Sequence, residues 1–395
     1  MNILYLPGYR YPDSLKEPLT CGDLRYSFNL SRALVRLGHS VTVISRRESE
    51  DGESSELDGV RIFRYKSELQ KVFSTSFDIS INRFRLFKKL YKEADLIICN
   101  SPLSLELSLT IKKPIVYICS GLEDVKNYSF SLGEILGYLG IKLLRDPCKR
   151  KTWKIAKYVD TTAEKEDRTL LKWGIPAGKI KTIGPSVELS RYFPQSENLK
   201  ATFRKKLGLS AKQKVILSVS RFTPAKGLLE TISAFKLLTE KIPDLILVLI
   251  GVRHSHNSSY YDNVISLIQE SGLKDKIRIL ENVPEAELPS YYSIADFVSV
   301  FSKDYDPLPT TIIESMACGA VVVSTYYETR DQMIQDKFNG IYVKERDIQD
   351  WADKIELLIQ NPSLPKEIKS HGIQVIQDRF DSLKVAQQYM DLVKS

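Results

Sequence analysis

Twice along this chain a short apolar run without alternation leads into a stretch of helical periodicity and then into another such run. Unalternated runs of about four to eight apolar residues mark strands covered on both faces, and intervening helices make successive strands parallel. In the first half, Ile3 to Leu6, a loop rich in Pro, Gly and Tyr, a helix from about Asp23 to Leu37 stopped by Gly38, and Val41 to Ile44 read as a βαβ unit. Leu96 to Cys99 and Ile115 to Ile118 extend the sheet, with helices at about Asn82 to Glu93 and Ala163 to Trp173. The stretch Ile180 to Pro194 carries Gly184, Pro185 and Pro194 among polar residues and reads as a linker. The rhythm then restarts with strands at Val215 to Val219, Leu245 to Ile250, Ile277 to Leu280, Phe297 to Phe301 and Val321 to Ser324. Helices at Leu228 to Glu240, Tyr260 to Glu270 and Thr310 to Cys318 separate them, and helices near Ile348 to Gln360, Pro365 to Gln377 and Ser382 to Val393 form the tail.

A chain of 395 residues exceeds the roughly 250–300 at which a single core stops growing, so two α/β domains in tandem are expected. With 43% hydrophobic and 27% charged residues, disorder and coiled coil are excluded. The five cysteines (Cys21, Cys99, Cys119, Cys148, Cys318) are widely spaced, form no CxxC and read as reduced thiols in a cytoplasmic protein. The longest apolar run, Leu245 to Val252, is eight residues, too short to span a bilayer, and the N-terminus lacks the pattern of a signal peptide.

The net charge of +8 is unevenly placed: residues 1–195 hold 32 Lys and Arg against 23 Asp and Glu, whereas the remainder is nearly balanced. A basic first half points to an anionic partner: nucleic acid, a membrane surface or a phosphorylated substrate. Two stretches carry the excess, Arg83 to Lys92 and Lys142 to Lys157, each mixing aromatics with cations at helical spacing. Such a pattern fits interfacial binding to anionic lipid, and equally a helix that buries its Phe and Leu while its cations stay solvated. No recognition motif for nucleic acid accompanies the charge, and no nucleic-acid partner is expected.

Two segments carry candidate chemistry. Arg221-Phe-Thr-Pro-Ala-Lys226-Gly227 runs from a strand end into a helix, where guanidinium, ammonium and backbone N–H groups would converge on a diphosphate; the alternative is a surface loop with two solvated cations. Asp306-Pro-Leu308-Pro-Thr310-Thr311-Ile-Ile-Glu314 makes the same transition. Its two carboxylates suit sugar and ribose hydroxyls, or else mark an Asp turn and a Pro-started helix with a half-buried Glu. No His/Cys cluster has metal-ligand spacing, and neither metal nor cofactor is expected.

In this order the segments resemble the retaining nucleotide-sugar glycosyltransferases of the GT-B fold, the large family numbered four in the sequence classification. Arg221 and Lys226-Gly227 look like its diphosphate-binding pair, and Asp306 to Glu314 like its ExxxxxxxE motif, running on through Glu314-Ser-Met-Ala-Cys-Gly-Ala-Val-Val. Leu249-Ile-Gly251, Glu287-Leu288 with Tyr292, and Ala295-Asp296 fit further landmarks. Thr20-Cys21-Gly22 and Leu37-Gly38-His39-Ser-Val41-Thr-Val43 are similar to its opening. The resemblance implies two Rossmann-like, doubly wound parallel-sheet domains facing a central cleft: residues 1–187 with 378–395 for the acceptor, and 188–377 for the donor. It further implies catalytic roles for Lys226, Arg221 and Asp306, with donor contacts from Gly251, Asn282, Val283, Leu308, Thr310, Thr311 and Glu314. Gly22, Ser120 and Gly121 would line the acceptor side, with Ser120 standing where many members have a His, and Asp306 where Glu is usual. The implied activity is retaining, metal-independent transfer from a nucleoside diphosphate sugar to a glycan, glycolipid or small sugar acceptor. A lipid-linked or cell-surface precursor at the cytoplasmic membrane face is the first expectation. A soluble phosphorylated acceptor, or a non-catalytic nucleotide-sugar-binding protein, is the alternative.

Overall fold

The structure is a computed structural model and describes residues 1–18, 22–48, 51–67, 80–119, 132–161, 164–253, 258–303 and 309–395. Contacts divide it into two compact units, one of Met1–Asp13, Asp23–Pro185 and Leu383–Ser395, the other of Ser14–Gly22 and Ser186–Ser382.

In the first unit the strands are β1 (Asn2–Leu6), β2 (Ser40–Arg46), β3 (Ser54–Leu57), β4 (Val60–Tyr65), β5 (Leu96–Cys99), β6 (Ile115–Cys119), β7 (Tyr158–Thr161) and β8 (Ile180–Lys181). They lie in the order β3-β4-β2-β1-β5-β6-β7-β8. All neighbouring pairs are parallel except β3 with β4, a hairpin at the edge. Helices α1 (Gly22–Arg36), α2 (Ile81–Tyr91), α3 (Leu132–Ile155) and α4 (Glu164–Lys172) follow in sequence. Ser80 caps α2 by accepting from the Arg83 amide at 3.2 Å, satisfying one of the donors a helix start leaves over. The basic stretch on α2 is amphipathic in the ordinary sense: Phe87 is buried and stacks on Tyr91, whereas Lys88 and Lys89 are exposed. Arg83 belongs to the interior, ion-paired with buried Glu106 at 3.0 Å. On α3, Trp153 is buried and stacks on Trp173, while Arg150, Lys151 and Lys154 are exposed.

The second unit contains α5 (Glu197–Lys206), β9 (Lys214–Val219), α6 (Leu228–Lys241), β10 (Leu245–Gly251), α7 (Ser258–Glu270), β11 (Ile277–Glu281), α8 (Leu288–Ile294), β12 (Phe297–Val300), α9 (Thr310–Ala317), β13 (Val321–Thr325), β14 (Ile341–Val343), α10 (Ile348–Gln360) and α11 (Ser363–Arg379). Its sheet is wholly parallel in the order β11-β10-β9-β12-β13-β14. Val215, Leu217, Ile246 and Val248 pack into one hydrophobic layer and Ile216, Leu245, Leu247 and Leu249 into the other, which is why these strands read as continuous apolar runs. The chain reverses direction across the sheet between β9 and β12, the topological switch point where open parallel sheets bind ligands at strand C-termini.

The final helix, α12 (Ser382–Lys394), joins the first unit from Leu383 onward. The divisions fall at Pro185/Ser186 and Ser382/Leu383, with Ser14–Gly22 also counted in the second unit, whereas the sequence places them after residues 187 and 377. Phe380 accounts for the difference: it lies in the same hydrophobic layer as Val187 and Tyr192, and main-chain bonds Val187 N–H to Phe380 O (2.8 Å) and Ser382 N–H to Val187 O (3.0 Å) hold the two segments together.

Within the first unit α12 is held by a buried polar cluster. Asp160 on β7 accepts hydrogen bonds at Oδ2 from Tyr26 of α1 (2.9 Å) and from Tyr389 of α12, and at Oδ1 from the Ile183 amide (2.9 Å). The two hydroxyls also meet at 2.6 Å. Burial pushes the Asp160 carboxyl up from the usual 3.8 to about 7, outweighing the three donors, and nearby Glu166 adds to the rise. An unfolded Asp is ionised throughout that window, so the folded chain binds the extra proton and loses stability as pH rises from about 4 to 7. Chemical denaturation should show a fall on the order of a few kcal/mol over that range, and Asp160→Asn should flatten it. An unchanged slope in Asp160→Asn would assign the titration to another group.

Candidate functional site

The candidate site is built at the C-terminal edge of the second sheet, where β9, β10, β11 and β12 each release a loop. Beyond β9 the chain runs through exposed Arg221, buried Phe222 and a single 3-10 turn, Pro224–Lys226, that ends at Gly227. Gly227 has φ +60° and caps α6; a Cβ there would lie 2.0 Å from the carbonyl oxygen of Phe301, just past β12. Only glycine permits that approach. At the end of β10, Gly251 meets the same restriction, since a Cβ would come within 2.2 Å of the Ser220 oxygen and 2.8 Å of the Phe222 ring.

Main-chain and side-chain bonds stitch the four loops together. Ser220 N–H donates to Ile250 O (2.9 Å), Asn282 N–H to Gly251 O (3.0 Å) and Lys303 N–H to Ala225 O (2.9 Å). Thr311 Oγ1, in the first turn of α9, donates to Val219 O at 3.2 Å and so ties that helix start to the end of β9. Lys303 also pairs with Glu230 of α6 at 3.0 Å. Arg221, Lys226, Gly251, Asn282, Val283, Thr310, Thr311 and Glu314 therefore all belong to one edge of one sheet, although they span 94 positions of the sequence. Asn282 is exposed and holds φ +55°, a left-handed conformation that asparagine tolerates better than most residues; Val283 beside it is buried.

Glu314 lies on the first turns of α9, is 1% exposed, and accepts a hydrogen bond from the Tyr292 hydroxyl of α8 at 2.9 Å. Thr310 is buried at the helix start, and a helix's own ladder leaves its first amides without acceptors, so anions are favoured there. Exposed and half-buried cations, backbone amides and a fixed carboxylate on one rim suit a ligand with a diphosphate and vicinal hydroxyls. Among the described residues no group of three or more His, Cys, Asp or Glu side chains is arranged to hold a metal. Asp306, Leu308, Ser120 and Gly121 lie outside the described residues, as do Thr20 and Cys21. Gly22 is exposed at the start of α1, and a Cβ on it would meet nothing within 4 Å.

Two residues at this edge carry no signal as a site in the sequence. Tyr292 is a landmark by resemblance, but its bond to Glu314 is a tertiary contact. Arg330, in the short 3-10 turn Glu328–Gln332, stands between Thr329 and Asp331 and is wholly buried.

Two doubly wound sheets, parallel but for the β3–β4 edge hairpin, are the architecture of the GT-B fold. A sucrose-phosphate synthase from Thermosynechococcus elongatus superposes over 100% of this chain and 98% of its own with a TM-score of 0.79 at 22% identity. Anabaena HepE, solved with UDP and glucose, does so over 100% and 99% with a TM-score of 0.71 at 17% identity. A family profile described as glycosyl transferases group 1 matches residues 200–375, and one described as glycosyltransferase family 4 matches residues 24–191. The chain belongs to this family of glycosyltransferases. Among named relatives, the D-inositol 3-phosphate glycosyltransferase of Corynebacterium aurimucosum is 25% identical over 354 residues, 85% of this chain and 82% of its own length. A relative of the same name from Mycobacterium aligns over 62% of this chain and only 54% of its own length, at 26% identity. The protein is thus an enzyme of the glycosyltransferase class.

Two substitutions probe the rim. Gly227→Ala should destabilise the protein by about 1–3 kcal/mol or more, read as a lowered urea midpoint, because the Phe301 carbonyl has to move. Tyr292→Phe should lower stability by about 1–3 kcal/mol and weaken nucleoside diphosphate binding about fivefold to tenfold, measured by calorimetry on the folded variant, because the buried Glu314 carboxylate loses a donor that both satisfies and orients it. Unchanged affinity would show that Tyr292 does not orient Glu314 for the ligand.

Proposed function

We propose that this enzyme transfers a sugar from a nucleoside diphosphate sugar, with retention of configuration, to a small phosphorylated acceptor. The observation that carries the donor half is the convergence of Arg221, Lys226, the α9 start and Glu314 at one switch point. In this reading Arg221 and Lys226 bind the diphosphate and stabilise charge as it develops on the leaving nucleotide, in place of a divalent cation. Thr310 and Thr311 offer amides to the distal phosphate, and Glu314 accepts from the ribose hydroxyls. Asn282 and Val283 border the base, and Gly251 lets the β9 exit pack close beneath it. Asp306 takes hydroxyls of the transferred sugar, with Leu308 beside it, as the family resemblance implies. Gly22, Ser120 and Gly121 are assigned to the acceptor side on the same ground.

Support for a phosphorylated acceptor comes from the name of the Corynebacterium relative and from the excess of cations in residues 1–195. A lipid-linked acceptor is the second reading; Leu143, 75% exposed on α3, beside exposed Arg150, Lys151 and Lys154, favours peripheral binding to an anionic membrane. Among the described residues no helix is long and apolar enough to cross a membrane.

Thermal shift against UDP, GDP, ADP and their sugar conjugates should identify one diphosphate that raises the melting temperature, because a ligand of the folded state alone stabilises it. Lys226→Ala and Glu314→Ala should each lower turnover at least about 10²-fold, and EDTA should leave turnover unchanged. Wild-type turnover in both variants would reject the donor site. Product formation with inositol or hexose phosphates, and none with their dephosphorylated forms, would support the soluble acceptor; turnover only with lipid-linked sugars, with sedimentation on anionic vesicles, would favour the lipid-linked one.

A further inference from the structure

The last ladder pair between β12 and β13 is Val300 with Ser324, and the Arg330 guanidinium binds both strand ends there. The two protons of its Nη1 are shared among the Val300 carbonyl (3.4 Å), Ser324 Oγ (2.7 Å), the Thr325 carbonyl (2.9 Å) and Thr325 Oγ1 (3.1 Å), while Nη2 donates to Ser302 Oγ at 2.9 Å. The guanidinium lies 4.8 Å from the centre of the Tyr327 ring, whose hydroxyl donates to the Ser302 carbonyl at 3.4 Å. The single Thr325 hydroxyl proton lies within reach of the carbonyls of both Val300 (3.3 Å) and Ser302 (3.1 Å). A planar fork of N–H donors can serve two neighbouring strand ends in this way; an ammonium is a compact point charge on a flexible stem and cannot reproduce the fork.

The segment so held, Phe301 to Lys303, is the one against which the Lys226 turn rests. Gly227 packs on the Phe301 carbonyl with no room for a Cβ, and Lys303 N–H donates to Ala225 O at 2.9 Å. We propose that Arg330 is a positioning residue for the donor site: by fixing the exit of β12 it sets the Ala225–Gly227 turn and so the place of the Lys226 ammonium. The proposal rests on the donor-site reading above. Arg330 touches no ligand in this scheme; its effect on a diphosphate passes through Phe301, Lys303 and Ala225.

The experiment compares a nucleoside diphosphate with its monophosphate, because a displaced Lys226 weakens the first and spares the second. Wild type, Ser302→Ala, Arg330→Lys and Lys226→Ala are titrated by calorimetry with UDP and UMP, GDP and GMP, and ADP and AMP. Ser302→Ala removes one bond to the β12 exit and leaves the other donations of Arg330 in place, so it decides the matter if Arg330→Lys does not fold. The expected result, for the base the wild type prefers, is a diphosphate-to-monophosphate affinity ratio lowered about tenfold in Lys226→Ala and at least about threefold in Ser302→Ala, with monophosphate affinity within twofold of wild type. An unchanged ratio in the folded Arg330 and Ser302 variants, or a parallel loss of both affinities, overturns the positioning role. If the wild type shows no preference for any diphosphate, or Lys226→Ala leaves the ratio unchanged, the donor-site reading fails instead, and that result is distinct.

Discussion

Where β9 and β12 leave the second sheet, the carbonyl oxygen of Phe301 occupies the space a side chain at position 227 would need. The contact brings the loop after β9 onto the loop after β12, and from it follow the turn that carries Lys226, the left-handed cap of α6 and the hydrogen bond from Lys303 to Ala225. Gly251 repeats the device one strand over, against Ser220 and Phe222. A parallel sheet puts all its C-terminal loops on one edge; the two glycines let those loops touch. The candidate diphosphate site is a consequence of that closeness, with its cations, amides and carboxylate drawn from segments that the chain order keeps far apart.

Polar groups inside each unit serve a related purpose. In the first, Asp160 gathers Tyr26, Tyr389 and the Ile183 amide, holding α12 beside α1 and β7. In the second, Arg330 gathers the ends of β12 and β13. Both are buried charge-bearing side chains, and burial without partners would cost several kcal/mol each, so the surrounding donors and acceptors are a condition of their presence. Such clusters demand defined geometry, which suits places where a helix or a loop must sit in one position.

Much of this fold is legible in the sequence because a strand covered on both faces has to be apolar at every position. The runs beginning at Ile3, Leu96, Ile115, Val215, Leu245 and Val321 announce themselves for that reason, and Gly38 and Gly174 end helices where a left-handed residue is required. The strands that escape are those whose environment is mixed. Strand β7 carries Asp160 in its centre, β8 is two residues long, β14 three, and the β3–β4 hairpin lies at the edge with alternating exposure. None of them offers a run long or apolar enough to stand out from a loop.

At the candidate site, the chain by itself determined the types and order of the chemical groups: two cations before a glycine, a Thr pair at a helix start, and a carboxylate one turn on. Local patterns suffice there because each piece is a strand end passing into a helix. What only the tertiary structure decided is which groups hold those pieces in place. Tyr26 and Tyr389 meet across 363 positions of the chain, and Tyr292 reaches Glu314 from another helix. Arg330, in the polar stretch Glu-Thr-Arg-Asp-Gln, is enclosed by strand ends 5 to 30 residues before it. Periodicity reports how a segment meets its solvent or its core, whereas the partners of a buried polar group depend on which distant segments fold around it.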